Sequence, residues 1–316
     1  MFAQTRGVRH RRANSPTLAG TCILPSVTLS VVIITHNEEA NLGRTLQSVV
    51  SLGGEGKGEI IVVDSGSTDH TVEIAKSFGA KVFVEEWKGF AAQKNSAIDK
   101  AAGDWILSLD ADEELDQDLQ KALGDAIEGL VRLSVLSQER GVHPLTLGDA
   151  TSDLEYHIGI RPDEQLAGLW IPRKNEFLGR WIRHGGLYPD PKLRFFRRGR
   201  GRFESRAVHE DVQIAGKTGR IRYGALLHHC YPTLSDYIEH VNRYSSLGAE
   251  MLAAEGKVRF SVINIVVRPL ATFVYNYIFR LGFLDGREGL LLHLYHAVYV
   301  SWKYAKAWEV TRKQTS

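Results

Sequence analysis

The feature that most constrains the fold is a repeated alternation of short apolar runs with helical segments in the first third of the chain. These runs are rich in Val, Ile and Leu, as are strands buried on both faces of a parallel sheet. The runs are residues 29–35, 59–64, 81–84 and 105–109. Strands and helices in this order predict a parallel, right-handed, doubly wound α/β sheet with helices on both faces.

Acidic residues stand at the ends of two of these runs. Asp64 closes the second run, and Asp110 and Asp112 follow the fourth with one small residue between them. Residues two apart in an extended backbone point the same way, so Asp110 and Asp112 can face one point at the carboxyl edge of the sheet, where ligands bind. Two close carboxylates favour a cation between them, and oxygen ligands suit Mg²⁺ or Mn²⁺. The alternative is that this acidic run is the solvated start of a helix.

Lys94 lies on the segment predicted to be a helix between those two strand ends. These residues together suit a nucleoside diphosphate. Asp64 could hydrogen-bond a base or ribose, Lys94 could lie near the phosphates, and Asp110 with Asp112 could bind a metal ion. A dinucleotide site is disfavoured because no G-x-G-x-x-G follows the first run. A P-loop is disfavoured because Gly58, not Ser or Thr, follows Lys57.

Composition narrows the class of protein. The chain has 316 residues, 43% hydrophobic and 24% charged, which is typical of a globular protein with a sizeable core. A formal charge of +2 argues against a nucleic-acid partner bound through bulk charge. Two cysteines fit a reducing compartment and predict a cytoplasmic location. Residues 1–28 begin with a basic stretch that no apolar run follows, which predicts a disordered extension instead of a secretory signal.

Four ordered motifs carry a resemblance to a known family. They are residues 30–39, residues 61–69, Lys94-Asn95 and residues 109–113. Together they resemble the family 2 inverting glycosyltransferases, whose GT-A fold is a Rossmann-like, mostly parallel sheet. The resemblance implies the following site residues: Thr35, Asn37, Glu38 and Asp64 in the nucleoside pocket, Lys94 near the phosphates, Asp110 on the nucleotide sugar, and Asp110 with Asp112 as a DxD site for Mg²⁺ or Mn²⁺.

A second block, residues 170–211, is basic and aromatic. Aromatic rings can stack on sugars, and basic side chains can hold phosphates or carboxylates. One alternative is an RNA-binding surface, but the block contains no recognised RNA-binding motif. A second alternative is that many of these arginines are simply solvated. The basic residues are Arg173, Lys174, Arg180, Arg183, Arg194, Arg197 and Arg198.

Candidates for a catalytic base follow at His209-Glu210-Asp211. An inverting transfer needs one base beside the acceptor hydroxyl, across the sugar from the leaving phosphate. The family resemblance implies that Glu210 is this base, with Asp211 as the alternative. An acidic cluster at a helix N-terminus would explain the same residues without catalysis. We expect no metal site at His228-His229-Cys230 and a structural role at a sheet edge, because adjacent strand residues face opposite sides.

Residues 233–316 are predicted to be helical. The segment 258–284 is apolar, but Arg268 and Pro269 near its centre argue against a membrane-spanning helix. A helix lying in the plane of a membrane surface fits better, and residues 290–308 continue the pattern with aromatic and lysine side chains. Ordinary core helices are an equal alternative.

The C-terminal half resembles bacterial lipopolysaccharide core beta-glucosyltransferases through residues 175–189, 194–198, 208–210, 242–245 and 282–286. This resemblance implies a glycosyltransferase domain over 29–232, with a nucleotide-sugar half at 29–114 and an acceptor half at 165–232, followed by a helical region over 233–316.

The implied reaction is metal-dependent hexosyl transfer with inversion, from UDP-glucose to a hydroxyl of an acidic or phosphorylated core oligosaccharide or similar cell-envelope glycan. The enzyme would lie peripherally on the inner face of the cytoplasmic membrane. Three alternatives stay open at this point: a transferase with a polyprenyl-phosphate acceptor, a sugar nucleotidyltransferase, and a non-catalytic glycan-binding protein.

Overall fold

The computed structural model describes residues 28–52, 58–138, 155–156, 165–204, 211–256 and 258–313, without the side chains of 132–138. The predicted extension over 1–28 therefore lies outside the described residues, except for Thr28. Glu210 also lies outside them.

The strands of the described residues are β1 (Leu29–Thr35), β2 (Gly58–Asp64), β3 (Lys81–Val84), β4 (Trp105–Asp110), β5 (Glu113–Leu115), β6 (Leu166–Ile171), β7 (Arg173–Phe177), β8 (Arg180–Trp181), β9 (Lys192–Arg197), β10 (Gly201–Phe203), β11 (Val212–Ile214), β12 (Lys217–Arg220) and β13 (Leu226–Tyr231). A seven-stranded sheet forms the centre of this part of the chain, in the order β12-β6-β9-β4-β1-β2-β3. All neighbouring pairs in it are parallel except the two that involve β9. The predicted mostly parallel sheet is confirmed.

Side chains of the central strands alternate between two apolar layers, one on each face of the sheet. In β1, Val31 and Ile33 join one layer and Val32 joins the other. The β-branched residues of these strands suit a pleated surface packed on both sides. Helices α1 (Leu42–Val49), α2 (Thr71–Ser77) and α4 (Gln117–Gln138) cover the first layer, and α3 (Phe90–Asp99) covers the second. The prediction of helices on both faces is confirmed.

Strand β9 runs against its neighbours β4 and β6, with Trp105 opposite Arg197 and Leu107 opposite Phe195. Because the pair is antiparallel, the start of β9 meets the carboxyl end of β4. Arg194 therefore lies at the ligand-binding edge of the sheet, whereas Arg197 lies at the opposite edge.

A smaller sheet has the order β5-β13-β7-β8. Strand β13 lies inside it, antiparallel to β5 and parallel to β7, with His228 opposite both Glu113 and Asn175. The predicted sheet-edge location of His228-His229-Cys230 is therefore wrong. The alternation of the two histidines is confirmed, since His228 contacts Asp112 and Asn175 while His229 contacts Glu114 and Glu176.

The C-terminal region is helical, as predicted. It contains α5 (Leu234–Glu255), α6 (Arg268–Val274) between two π-helical turns (Ile263–Val267 and Tyr275–Phe279), a 3₁₀ turn (Gly282–Asp285) and α7 (Gly286–Lys313). A capping box of Thr233 and Asp236 starts α5. None of the helices in the described ranges has the length and apolarity needed to cross a membrane.

Asp285 attaches this helical region to the loop after β8. The carboxylate is almost fully buried and accepts hydrogen bonds from the backbone N–H groups of Arg183 (3.1 Å) and His184 (2.8 Å). The Nδ1 atom of His184 lies 3.0 Å from the same carboxylate. Hydrogen bonds from backbone N–H groups to a buried carboxylate fix the position of a loop.

Candidate active site

Asp64 organises the turn that follows β2. It is fully buried and accepts hydrogen bonds from the backbone N–H groups of Gly66 (2.9 Å) and Ser67 (2.8 Å) and from the hydroxyls of Thr35 (2.9 Å) and Ser67. These bonds occupy the acceptor positions of the carboxylate. The turn presents Ser65 to the cavity described below, and the hydroxyl of Ser65 has no hydrogen-bond partner among the described residues.

The turn after β1 interlocks with the turn after β2. Asn37 has a positive φ of 54° and its Oδ1 accepts a hydrogen bond from the Thr68 N–H at 2.8 Å. An Asn side chain tolerates this left-handed backbone because it can bond locally. Burial raises the pKa of Glu38, the hydrogen bond from Asn41 opposes this shift, and the nearby charge of Asp112 adds to it. Glu38 is therefore close to the acidic end of β4.

Two basic side chains hold Asp110. Lys94 Nζ lies 2.7 Å from Oδ1, and the Arg194 guanidinium donates to Oδ2. Burial favours the neutral acid, but the charges of Arg194 and Lys94 hold the pKa of Asp110 well below its usual range. Asp110 is thus ionised, and both of its oxygens have cationic partners.

A buried ion-pair network that the sequence did not reveal lies beneath this site. Glu113 is fully buried and binds Arg194 at 2.7 Å and Arg173 at 3.0 Å through Oε1. Arg173 also binds Asp190 at 2.7 Å. Removing one partner from such a network leaves an uncompensated buried charge, which is strongly destabilising. No sequence signal pointed to this network, because Arg173 stands in the polar run Arg-Lys-Asn-Glu and Glu113 in an acidic run.

Asp112 has a different partner from Asp110. His228 Nε2 lies 3.3 Å from Asp112 Oδ2, and its Nδ1 lies 2.7 Å from Asn175 Oδ1. Burial by itself lowers the pKa of His228, but the hydrogen bond to Asp112 outweighs it and raises the pKa to about 10. His228 therefore carries a proton beside Asp112, at a point where a metal cation could take its place.

No group of three or more His, Cys, Asp or Glu side chains is arranged to hold a metal ion within the ranges that the structure describes. Asp112 is a carboxylate of the kind that holds Mg²⁺ through one or two protein ligands together with substrate phosphates. His228 would have to lose its proton before its ring could bind a metal. Asp110, with both oxygens paired, lies beside Asp112.

One cavity of about 1440 Å³ connects these groups. It exceeds the roughly 300–1,000 Å³ of a pocket for one small ligand, so it has room for two substrates. Asp211 lines it, and the carbonyl of Asp211 accepts the Glu204 N–H at 3.1 Å, which holds together the ends of the segment that contains Glu210. Six of the predicted site residues line the cavity: Thr35, Glu38, Lys94, Asp110, Asp112 and Asp211. Asn37 and Asp64 do not line the cavity, but their hydrogen bonds order the turns that form part of its wall.

Most arginines of the basic, aromatic block are already bound to other groups of the protein. Arg173 and Arg194 are bound by internal carboxylates, and Arg180 pairs with Glu288 at 3.4 Å. Arg197 lies over the Trp105 ring, and Arg198 donates to the Gly103 carbonyl at 2.8 Å. These last two arginines are at the amino end of β4, opposite the site.

An α/β sheet with a large cleft at the carboxyl ends of its strands defines a class of proteins that bind ligands at that edge. Comparison with known proteins identifies the family. The model of glycosyl transferase family 2 matches residues 30–199. The chain belongs to glycosyl transferase family 2. The predicted family and the prediction of an enzyme that transfers sugars are therefore confirmed.

Relatives match over nearly the whole chain. A lipopolysaccharide core biosynthesis glycosyltransferase, LpsC of Rhizobium meliloti, is 29% identical, with 91% of this chain and 94% of the relative covered. An uncharacterized glycosyltransferase of Rickettsia typhi, RT0209, is 31% identical, with 90% and 88% covered. Among solved structures, S. aureus TarS 1-349 is 16% identical with a TM-score of 0.38, and 92% of each chain is covered.

Proposed function

We propose that this glycosyltransferase moves glucose from UDP-glucose, with inversion, onto a hydroxyl of the lipopolysaccharide core or a similar cell-envelope glycan. The observation that carries the proposal is that Lys94, Asp112 and Asp211 line one cavity with room for a donor and an acceptor. The relative named for lipopolysaccharide core biosynthesis supports the class of acceptor. The resemblance to core beta-glucosyltransferases supports the donor.

In this proposal Asp110 and Asp112 would hold a divalent cation, Mg²⁺ or Mn²⁺, and His228, which the sequence did not mark as a metal ligand, would join them only after losing its proton. When bound, the cation would supply positive charge that stabilises a leaving diphosphate. Lys94, held at 2.7 Å from Asp110, brings a fixed positive charge to the same edge of the sheet. A preorganised charge of this kind stabilises developing negative charge without reorganisation during the reaction.

The remaining steps use side chains of this chain. Glu210 accepts the proton of the acceptor hydroxyl, and Asp211 is the alternative base. The hydroxyl oxygen forms a bond to the anomeric carbon on one face as the bond to the diphosphate oxygen breaks on the other. The electron pair of that bond leaves with UDP, and the anomeric configuration inverts. Thr35, Glu38 and Ser65 form the wall that receives the nucleoside.

A donor screen tests this function. Purified protein with Mn²⁺ or Mg²⁺ is supplied with UDP-, GDP- and ADP-sugars and with deacylated lipopolysaccharide core oligosaccharide, and release of nucleoside diphosphate is measured. We expect acceptor-dependent release of UDP from UDP-glucose, lost on addition of EDTA because the cation no longer stabilises the leaving group. Release from no nucleotide sugar, or release that EDTA does not change, would contradict the proposal.

A polyprenyl-phosphate acceptor is the second candidate. It is favoured by the exposed apolar side chains of the C-terminal region, including Ile263 and Phe279. The same assay distinguishes the two, since a polyprenyl phosphate in detergent would then support transfer where the core oligosaccharide does not.

We also infer that this apolar face lies on the anionic surface of the membrane. Exposed apolar residues recur at helical spacing on one face, as in helices that lie in a membrane interface. Residues 258–279 contain two arginines and no acidic residue, a charge that complements anionic lipid headgroups. The exposed apolar residues of this face include Phe260, Val262, Ile263, Val266, Val267, Leu270, Tyr275, Ile278 and Phe279.

Vesicle flotation tests this contact. We expect the protein to float with phosphatidylcholine vesicles that contain phosphatidylglycerol and not with phosphatidylcholine alone. Ile263 and Phe279 are 67% and 73% exposed, and changing both to Asn removes apolar area that would enter the bilayer, so binding should weaken by at least about tenfold. Val84→Asn, at a 64% exposed position on β3, is the matched control. Unchanged flotation of the double variant would refute this contact.

A further inference from the structure

The cavity extends well beyond the strand ends, to a wall formed by α5, the C-terminal helices and the Gly185-Gly186 turn. Aromatic side chains dominate this wall. His240 stacks on Tyr244 with ring centroids 4.1 Å apart, and Tyr231 meets Tyr237 edge to face at 4.8 Å. Burial and the neighbouring charge of Arg243 lower the pKa of His240 to about 4, so this imidazole is neutral at pH 7 and adds ring surface instead of charge.

Two arginines, Arg243 of α5 and Arg280 between the π-helical turn and the 3₁₀ turn, line the cavity. Arg243 lies 5.6 Å from the ring centroid of Tyr244, and Arg280 lies 5.6 Å from that of Tyr275. Neither guanidinium forms an ion pair with a carboxylate in the part of the chain that the structure describes. By contrast, Glu176 and Asp190, which line the same cavity, are paired with His229 and Arg173.

Gly186 makes room for the Arg280 guanidinium. The backbone of Gly186 has a φ of +84°, and a Cβ atom there would overlap Arg280 Nη1. The adjacent Gly185 donates its N–H to the Arg280 carbonyl at 2.9 Å, which fixes the backbone of Arg280. The turn thus fixes the backbone of Arg280 through Gly185, and the guanidinium lies against Gly186, where it would have to move aside for a side chain.

We propose that Arg243 and Arg280 bind phosphate on the acceptor glycan, and that the aromatic wall stacks on its sugars. This inference rests on the proposed function. Planar guanidinium groups suit phosphate, and both have donors that no internal carboxylate occupies. The donor diphosphate has Lys94 and the Asp112 site at the strand ends, whereas Arg280 lies on the wall formed by the C-terminal region.

The test is calorimetric titration of deacylated core oligosaccharide into protein with UDP and Mn²⁺, before and after phosphate removal with aqueous hydrogen fluoride. We expect wild-type protein to bind the phosphorylated form at least about tenfold more tightly, since hydrogen bonds to charged groups are each worth that much. Arg243→Gln and Arg280→Gln should each reduce this preference, and Arg280→Lys should restore part of it. Arg200→Gln, an exposed change in the turn between β9 and β10, should leave it intact.

Three outcomes would overturn this assignment: wild-type protein that binds the two forms equally, wild-type protein that binds neither, and Gln variants that keep the preference. A loss of UDP affinity in the variants as large as the loss of oligosaccharide affinity would also overturn it, because the arginines would then serve the donor. Release of UDP from UDP-glucose is measured in parallel. Its presence without any phosphate preference rejects only this inference, and its absence in every condition rejects the proposed function as well.

Discussion

Asp112→Asn is expected to reduce metal-dependent sugar transfer by at least about a hundredfold, because the neutral amide supports neither a cation nor the charge of His228 as the carboxylate does. The side chain keeps nearly the same volume and about a quarter of it is exposed, so the protein should stay folded. The rate of UDP release is measured across a series of Mn²⁺ concentrations. We expect the variant to need much more Mn²⁺ than wild-type protein at any rate that remains.

Asp118→Asn is the matched control, because Asp118 is an exposed residue in the first turn of α4 and faces solvent. It should retain the wild-type rate and Mn²⁺ dependence. If Asp112→Asn also retained both, the assignment of Asp112 as a cation ligand would be wrong. The consequence would be a transferase that stabilises its leaving group with Lys94 and other fixed charges alone.

Glu210→Gln is expected to lower kcat by about 10²–10⁴-fold, because the amide cannot accept the proton of the acceptor hydroxyl. The affinity for UDP should not change, since the base meets the acceptor and not the nucleotide. Single-turnover transfer and calorimetric titration with UDP measure the two quantities separately. Asp211→Asn should keep most of the transfer rate.

The reverse pattern, in which Asp211→Asn loses transfer and Glu210→Gln keeps it, would make Asp211 the base. Asp211 lines the cavity, so its carboxylate is available for that role. If neither change affected kcat, the base would have to lie outside this segment. The glycosyltransferase function could then still hold, because donor consumption is measured independently.

Local patterns predicted the framework of the site correctly. The bounds of β3 agree with the apolar run, and β4 with its run plus Asp110. The acidic residues that follow β4 lie at the ligand-binding edge, because side chains that end parallel strands converge there. The roles of individual strand-end residues were harder to predict. Asp64 is buried and accepts four hydrogen bonds, and three of them form only because the turn after β2 folds back onto its carboxylate.

The arginines were the least predictable part of the site. Their pattern suggested a continuous basic surface, but the direction of β9 sends Arg194 to the acidic edge and Arg197 to the far one. Strand direction depends on pairing with β4 and β6, which residue spacing does not encode. Arg243 and Arg280 also line the cavity, but they belong to the C-terminal region, where only hydrophobic spacing had been informative.

The sequence by itself determined the strand–helix alternation, the doubly wound sheet, the acidic strand ends and the family, because each depends on residues close together in the chain. Only the tertiary structure decided that His228 meets Asp112, that Glu113 binds Arg173 and Arg194, and that one cavity reaches from Thr35 to Arg280. These contacts join residues far apart in sequence. Which residues become partners depends on the order and direction of the strands. Each buried charge meets its partner only when all the elements are in place, and an unpaired buried charge would be strongly destabilising.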